Sequence, residues 1–249
     1  MSREATLKTA QDKLIVALDV DSAARAFDLF DLLRDVGGMF KVGSQLFTAA
    51  GPDIVRKIVA KGGRIFLDLK FHDIPNTVAA ASIEAARLGV SIFNVHAAGG
   101  TEMMTRTAEA VSETATREGL PKPMVIAVTL LTSLDSAALR QIGISGAAET
   151  SVANLARAAA TCGLDGVVAS AHEIQIIRAA VPNPKFIIVT PGIRPGSVAT
   201  DDQRRVITAA EAIRAGADYL VVGRPILNAD DPVAAANSIV AEIEGGFPS

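Results

Sequence analysis

Tryptophan is absent from the chain, and tyrosine and cysteine occur once each, as Tyr219 and Cys162. A single cysteine cannot close an intrachain disulfide, which fits a reducing compartment. With one tyrosine and no tryptophan there is no aromatic platform on which bases could stack. The formal net charge is −3, so no basic field draws nucleic acid or an anionic membrane. No apolar run approaches the roughly 20 residues that a membrane helix needs. Residues 1–13 are polar, lack the apolar centre of a signal peptide, and read as an N-terminal extension. A cytoplasmic location is the expectation. The sequence also has no GxGxxG after a first strand, no P-loop and no HExxH. His72, His96 and His172 lie apart without metal-ligand spacing, so no metal is expected.

What is present is a repeating pattern. Apolar residues make up 49% of the 249 positions and charged residues 20%, a globular balance that can bury a core. Compact apolar runs recur at Leu14–Leu18, Met39–Gly43, Arg64–Leu67, Ser91–His96, Met124–Thr129, Gly166–Ala169, Phe186–Thr190 and Tyr219–Gly223. Helical stretches follow them. One opens at Asp21-Ser22, with Ala26, Leu29, Phe30 and Leu33 at helical spacing. Others are expected at about Ser44–Ala60, Pro75–Leu88, Gly100–Glu118, Ser151–Cys162, Ile174–Ala180 and Val233–Glu244. Strands buried on both faces and joined through helices make a parallel sheet. Eight such units, in a chain close to the roughly 250 residues the architecture takes, predict a closed (β/α)8 TIM barrel in a single domain spanning 1–249. The one long irregular stretch, 191–204, is expected to be a functional loop, a lid.

The polar residues fall in one place on this map. Asp19 ends the first strand, Lys41 lies near the end of the second, and Asp68 and Lys70 end the third. His96, Thr129, Pro191 and Gly223-Arg224 end the fourth, fifth, seventh and eighth. Barrel enzymes keep their active sites at this face. Strands about 4.8 Å apart bring Asp19, Lys41, Asp68 and Lys70 into a row of alternating sign, with Asp68 and Lys70 on one face of their strand. Asp73 adds a third acid before Pro75, which suits a first helical turn. The bland alternative is an ion network with an Asp capping the next helix. Gly223-Arg224 and Pro191-Gly192-Ile193-Arg194 stand where barrels bind phosphate. There glycine admits backbone N–H groups and arginine offers a planar fork, with a surface ion pair as the alternative for Arg224.

These residues carry a resemblance. Asp68-x-Lys70-x-x-Asp73-Ile74-Pro75-Asn76-Thr77 is similar to the signature of the orotidine 5′-phosphate decarboxylase family. So are Leu18-Asp19, Lys41-Val42-Gly43, Thr129–Ser133, Thr190–Arg194, Asp202–Arg205 and Val222–Pro225, which together span nearly the whole chain. The resemblance implies a barrel homodimer that turns orotidine 5′-monophosphate into UMP and CO2 without cofactor or metal. It implies Lys70 as proton donor, with Lys41, Asp68 and Asp73 completing the charged array. Asp73, Ile74 and Thr77 would reach the partner's site, while Asp19 and Lys41 would hold ribose hydroxyls. Thr132 or Ser133 would read the pyrimidine edge. Pro191, Arg194, Gln203, Gly223 and Arg224 would line and hold the phosphate end.

Two other readings stand beside it. A sugar-phosphate decarboxylase of the same suprafamily shares Asp-x-Lys-x-x-Asp but uses Mg2+, with a carboxylate ending its second strand. Lys41 stands at that position here, and a cation beside a Mg2+ site is unfavourable. A silent phosphate-binding barrel, a sensor or scaffold, is the reading from another class. An assay for CO2 release decides against or for it.

Overall fold

The structure, a computed structural model, describes residues 9–194 and 207–247. In chain order the elements are α1 (Ala10–Lys13), β1 (Leu14–Ala17), α2 (Ala23–Leu33), β2 (Met39–Gly43), α3 (Ser44–Ala50), α4 (Asp53–Ala60), β3 (Ile65–Phe71), α5 (Pro75–Arg87), β4 (Ile92–His96), α6 (Gly100–Glu118) and β5 (Met124–Val128). They continue with α7 (Ser136–Gln141), α8 (Ala148–Thr161), β6 (Gly166–Val168), α9 (Ile174–Ala180), β7 (Ile187–Pro191), α10 (Ala209–Ala215), β8 (Tyr219–Val222), α11 (Arg224–Leu227) and α12 (Pro232–Glu244). The strands follow one another from β1 to β8 in a closed barrel, the expected (β/α)8 fold.

The chain divides into two compact units, Met1–Asp68 with Thr190–Ser249, and Leu69–Val189. In the first, β1 pairs in parallel with β8 and β2, and β2 pairs with β3, in the register Lys41↔Phe66 and Gly43↔Asp68. Every residue of β1, β2 and β8 is buried, as continuous apolar runs require. Phe30 of α2 meets Phe40 of β2 edge-on, with ring centroids 4.9 Å apart. Such a pair is worth about 0.5–1.5 kcal/mol beyond its buried area. Ser22 caps α2 by accepting the Arg25 N–H.

In the second unit β4, β5, β6 and β7 pair in sequence, all parallel. The buried Asp165 carboxylate accepts the Val125 N–H at 2.9 Å, which ties the turn before β6 to β5. Cys162 is buried and its thiol points at the Thr101 carbonyl, 3.4 Å away, a packing role as expected. Among the described residues no helix is long and apolar enough to cross a membrane.

Two expectations fail locally. The helix read across Ser44–Ala60 is two helices, α3 and α4. Gly51 between them takes φ 67°, a left-handed conformation open to glycine, and Pro52 has no N–H to continue the ladder. Two short helices, α10 and α11, follow β7 and β8 in stretches for which no helix range was expected. Thr208 and Glu211 form a capping box that starts α10.

Candidate active site

The first unit holds the charged row. Lys41 is 8% exposed near the end of β2. Its Nζ lies 2.7 Å from Asp19 Oδ1 and 3.5 Å from Asp68 Oδ2. The strand register supplies this geometry, since Ala17, two residues before Asp19, pairs with Lys41, and Gly43 pairs with Asp68. Asp68 is nearly enclosed, with 14% of its side chain exposed, whereas 54% of the Asp19 side chain faces solvent. Gly43 leaves room for the pair, since a Cβ there would lie 3.0 Å from Lys41 Nζ; one on Gly223 would make an ordinary contact with Asp19 Oδ2 at 3.5 Å.

In the same unit, Gly223 precedes α11 and Arg224 is the first residue of that helix, exposed. Among the described residues Arg224 makes no ion pair. Pro191 ends β7, and the Arg194 N–H points at the Ile207 carbonyl, 3.5 Å away. Gln203 and residues 195–204 of the expected lid lie outside the described residues.

The second unit holds the rest. Lys70 has φ 52°, the one positive φ among the described non-glycine residues. Left-handed backbone on such a residue costs about 1–3 kcal/mol unless its surroundings determine it. The Lys70 N–H donates to Asn94 Oδ1 at 2.8 Å, and Asn94 is wholly buried in β4. The expectation that simple pleat alternation puts Asp68 and Lys70 on one face therefore lacks its premise, because alternation assumes extended backbone at each residue.

Beyond Lys70, the His72 and His96 rings stack with centroids 5.2 Å apart. Burial pushes the His96 imidazole below its ordinary value, and the neighbouring His72 and Lys70 push it the same way. His96 Nδ1 also accepts the Ala98 N–H at 3.3 Å, a bond that protonation there would cost. His96 is thus held neutral. Asp73 does not cap α5. Its Oδ1 accepts the Ile74 N–H at 2.6 Å, and Ile74 stands at the N-cap without a side-chain bond. Asp73 and Thr77 are exposed, and Ile74 presents 66% of its surface.

Thr132 and Ser133 are the central residues of a turn closed by Leu134 N–H to the Leu131 carbonyl at 3.0 Å, and both are exposed. Asp135 then caps α7 through the Ala137 and Ala138 N–H groups, which hold its carboxyl below the usual range.

Sequence reasoning found Asp19, Lys41 and Asp68 because strand ends and strand order suffice to bring them together. It missed Asn94 and the histidine stack. The signal for Asn94 was there, a lone amide inside Ile92-Phe93-Asn94-Val95 that would have to find a partner if buried.

Residues 12–239 match a family described as Orotidine 5′-phosphate decarboxylase / HUMPS family. The chain is 57% identical over 236 residues to the orotidine 5′-phosphate decarboxylase of Moorella thermoacetica, covering 94% of this chain and 93% of that protein. It is 55% identical over 241 residues to the one of Geobacter sulfurreducens, covering 97% and 100%. A solved structure of orotidine 5′-phosphate decarboxylase from Lactobacillus acidophilus superposes with a TM-score of 0.81 at 37% identity, over 92% of this chain and 98% of that one.

Proposed function

The chain belongs to the orotidine 5′-phosphate decarboxylase family and is a carboxy-lyase that turns orotidine 5′-monophosphate into UMP and CO2; we propose that it does so without a cofactor, with Lys70 as the proton donor. The C6–carboxylate bond breaks, CO2 leaves, and the electron pair stays on C6. The Lys70 ammonium stabilises that charge as it develops and then gives C6 a proton, regaining one later from water.

The observation that carries this reading is the buried Lys41 between the Asp19 and Asp68 carboxylates, at 2.7 and 3.5 Å. A row of alternating charge at strand ends is costly to enclose and is ready to meet a polar, charged substrate. Asp19 and Lys41 would bind ribose hydroxyls, and Thr132 or Ser133 the pyrimidine edge. Pro191, Arg194, Gln203, Gly223 and Arg224 would hold the phosphate, whose remote binding energy helps form the site. Asp73, Ile74 and Thr77 would complete a second copy's site in a homodimer. Ile74, 66% exposed, is accessible for that role. The composition supports a cytoplasmic setting.

The Mg2+-dependent relative is disfavoured by Lys41, a buried cation at the strand end where that chemistry needs a carboxylate. The test is CO2 release from orotidine 5′-monophosphate by the wild type in EDTA, and by Lys70→Ala. Full activity in EDTA, loss in the variant and deuterium at C6 of UMP formed in D2O are expected. Chelator-sensitive turnover, or an unlabelled product, would remove the proposal.

A further inference from the structure

We propose that Asn94 is a positioning residue for the decarboxylation, acting through the backbone of Lys70. The inference rests on the reading of Lys70 as proton donor and adds a residue to it. Lys70 alone among the described non-glycine residues takes a left-handed φ, 52°. A left-handed residue at a strand end turns its side chain out of the pleat and takes its N–H out of a straight ladder. Something else has to accept that N–H. Asn94 Oδ1 does so at 2.8 Å, from a residue with no solvent exposure in the middle of β4.

The amide suits the task. Its oxygen is an acceptor, which is what the Lys70 N–H requires. Its burial inside a strand denies it other rotamers, so the grip is rigid. An apolar residue of similar size would leave the N–H unsatisfied and let residue 70 relax towards extended backbone. The ammonium would then be aimed elsewhere. Positioning errors of this kind act on the developing charge, which needs the ammonium in one place, more than on the bound nucleotide as a whole.

The measurement compares affinity for UMP with affinity for a uridine 5′-monophosphate carrying an oxyanion at C6, which mimics the charge at that carbon. The wild type is expected to favour the oxyanion by at least about a thousandfold, and Lys70→Ala to lose that preference. Asn94→Ala is expected to lose at least about tenfold of it while UMP affinity stays within about threefold. Asn94→Asp keeps an acceptor on the same atom and is expected to retain the preference within about threefold. A merely structural role would weaken both ligands alike. Equal weakening in Asn94→Ala, or an unchanged preference, overturns the proposal. Should Asn94→Ala not fold, loss of the preference in Asn94→Asp overturns it and retention upholds it. A wild type without any preference instead removes the role of Lys70, a distinct failure.

Discussion

Lys41 and Lys70 each stand at or near the end of a strand, one in regular strand backbone and the other not. Lys41 lies in regular strand backbone and is fixed through its side chain, by carboxylates at 2.7 and 3.5 Å. Lys70 lies in left-handed backbone and is fixed through its main chain, by the Asn94 amide. A lysine clamped by carboxylates is a durable part of a charged wall. Holding Lys70 by its N–H fixes where its side chain leaves the backbone, which suits the proton donor we propose. The difference predicts that the two positions fail differently when altered.

The largest effect is expected at residue 70. Lys70→Ala should lower kcat by about 10⁴-fold or more, read as CO2 release, with little change in stability, since deleting its side chain leaves the Asn94 bond to the backbone in place. At residue 41 function and stability should fall together. Lys41→Ala removes the cation beside the nearly enclosed Asp68, and a loss of about 1–2 kcal/mol in urea unfolding is expected. Asp19, with half its side chain in solvent, adds little to that loss. A Lys41 variant as stable as the wild type would erase the contrast.

The contrast extends to pH. Burial pushes the folded His96 imidazole below the ordinary 6.5. The unfolded chain then takes up a proton that the folded one refuses. Stability is therefore full above 6.5 and falls as the pH drops from there towards the lowered folded value. Melting followed from pH 7.5 to 5 should show that slope, and His96→Asn, which keeps an acceptor for the Ala98 N–H, should flatten it. Gly43→Ala sharpens the other side, because its Cβ would sit 3.0 Å from Lys41 Nζ. A drop of about tenfold in kcat/KM is expected, with less effect on stability than Lys41→Ala.

The smallest effect belongs far from either lysine. Arg87 binds Glu118 through two bonds of 2.7 and 3.0 Å and holds that carboxyl down to about 2. Both groups meet solvent, so Arg87→Ala should lower the melting temperature slightly at low salt and not at high salt.

Both the barrel and the Lys41 row were legible in the sequence for the same reason. Buried parallel strands read as unbroken apolar runs, and residues that close such runs on successive strands become neighbours. Leu14–Ala17 and Met39–Gly43 need no more than that. The Lys70 side was illegible because it depends on a deviation from the pattern. Nothing in Leu69-Lys70-Phe71 marks a left-handed residue, and the group that accepts its N–H, Asn94, lies on another strand. The break at Gly51-Pro52 was legible in principle, but the apolar spacing of Leu46, Ile54 and Ile58 runs on across it and masks the stop. The four-residue α11 is too short for periodicity to show.

The bond from Lys70 to Asn94 joins two residues 24 positions apart. They are therefore a unit of inheritance for anyone who recombines this barrel with another. A chimera whose crossover falls on α5 would bring the left-handed lysine from one parent and its buried amide from the other. Where the second parent lacks an acceptor at that point, such a hybrid would be expected to fold and bind nucleotide while its lysine is misdirected. The safe junctions lie before β3 or after β4.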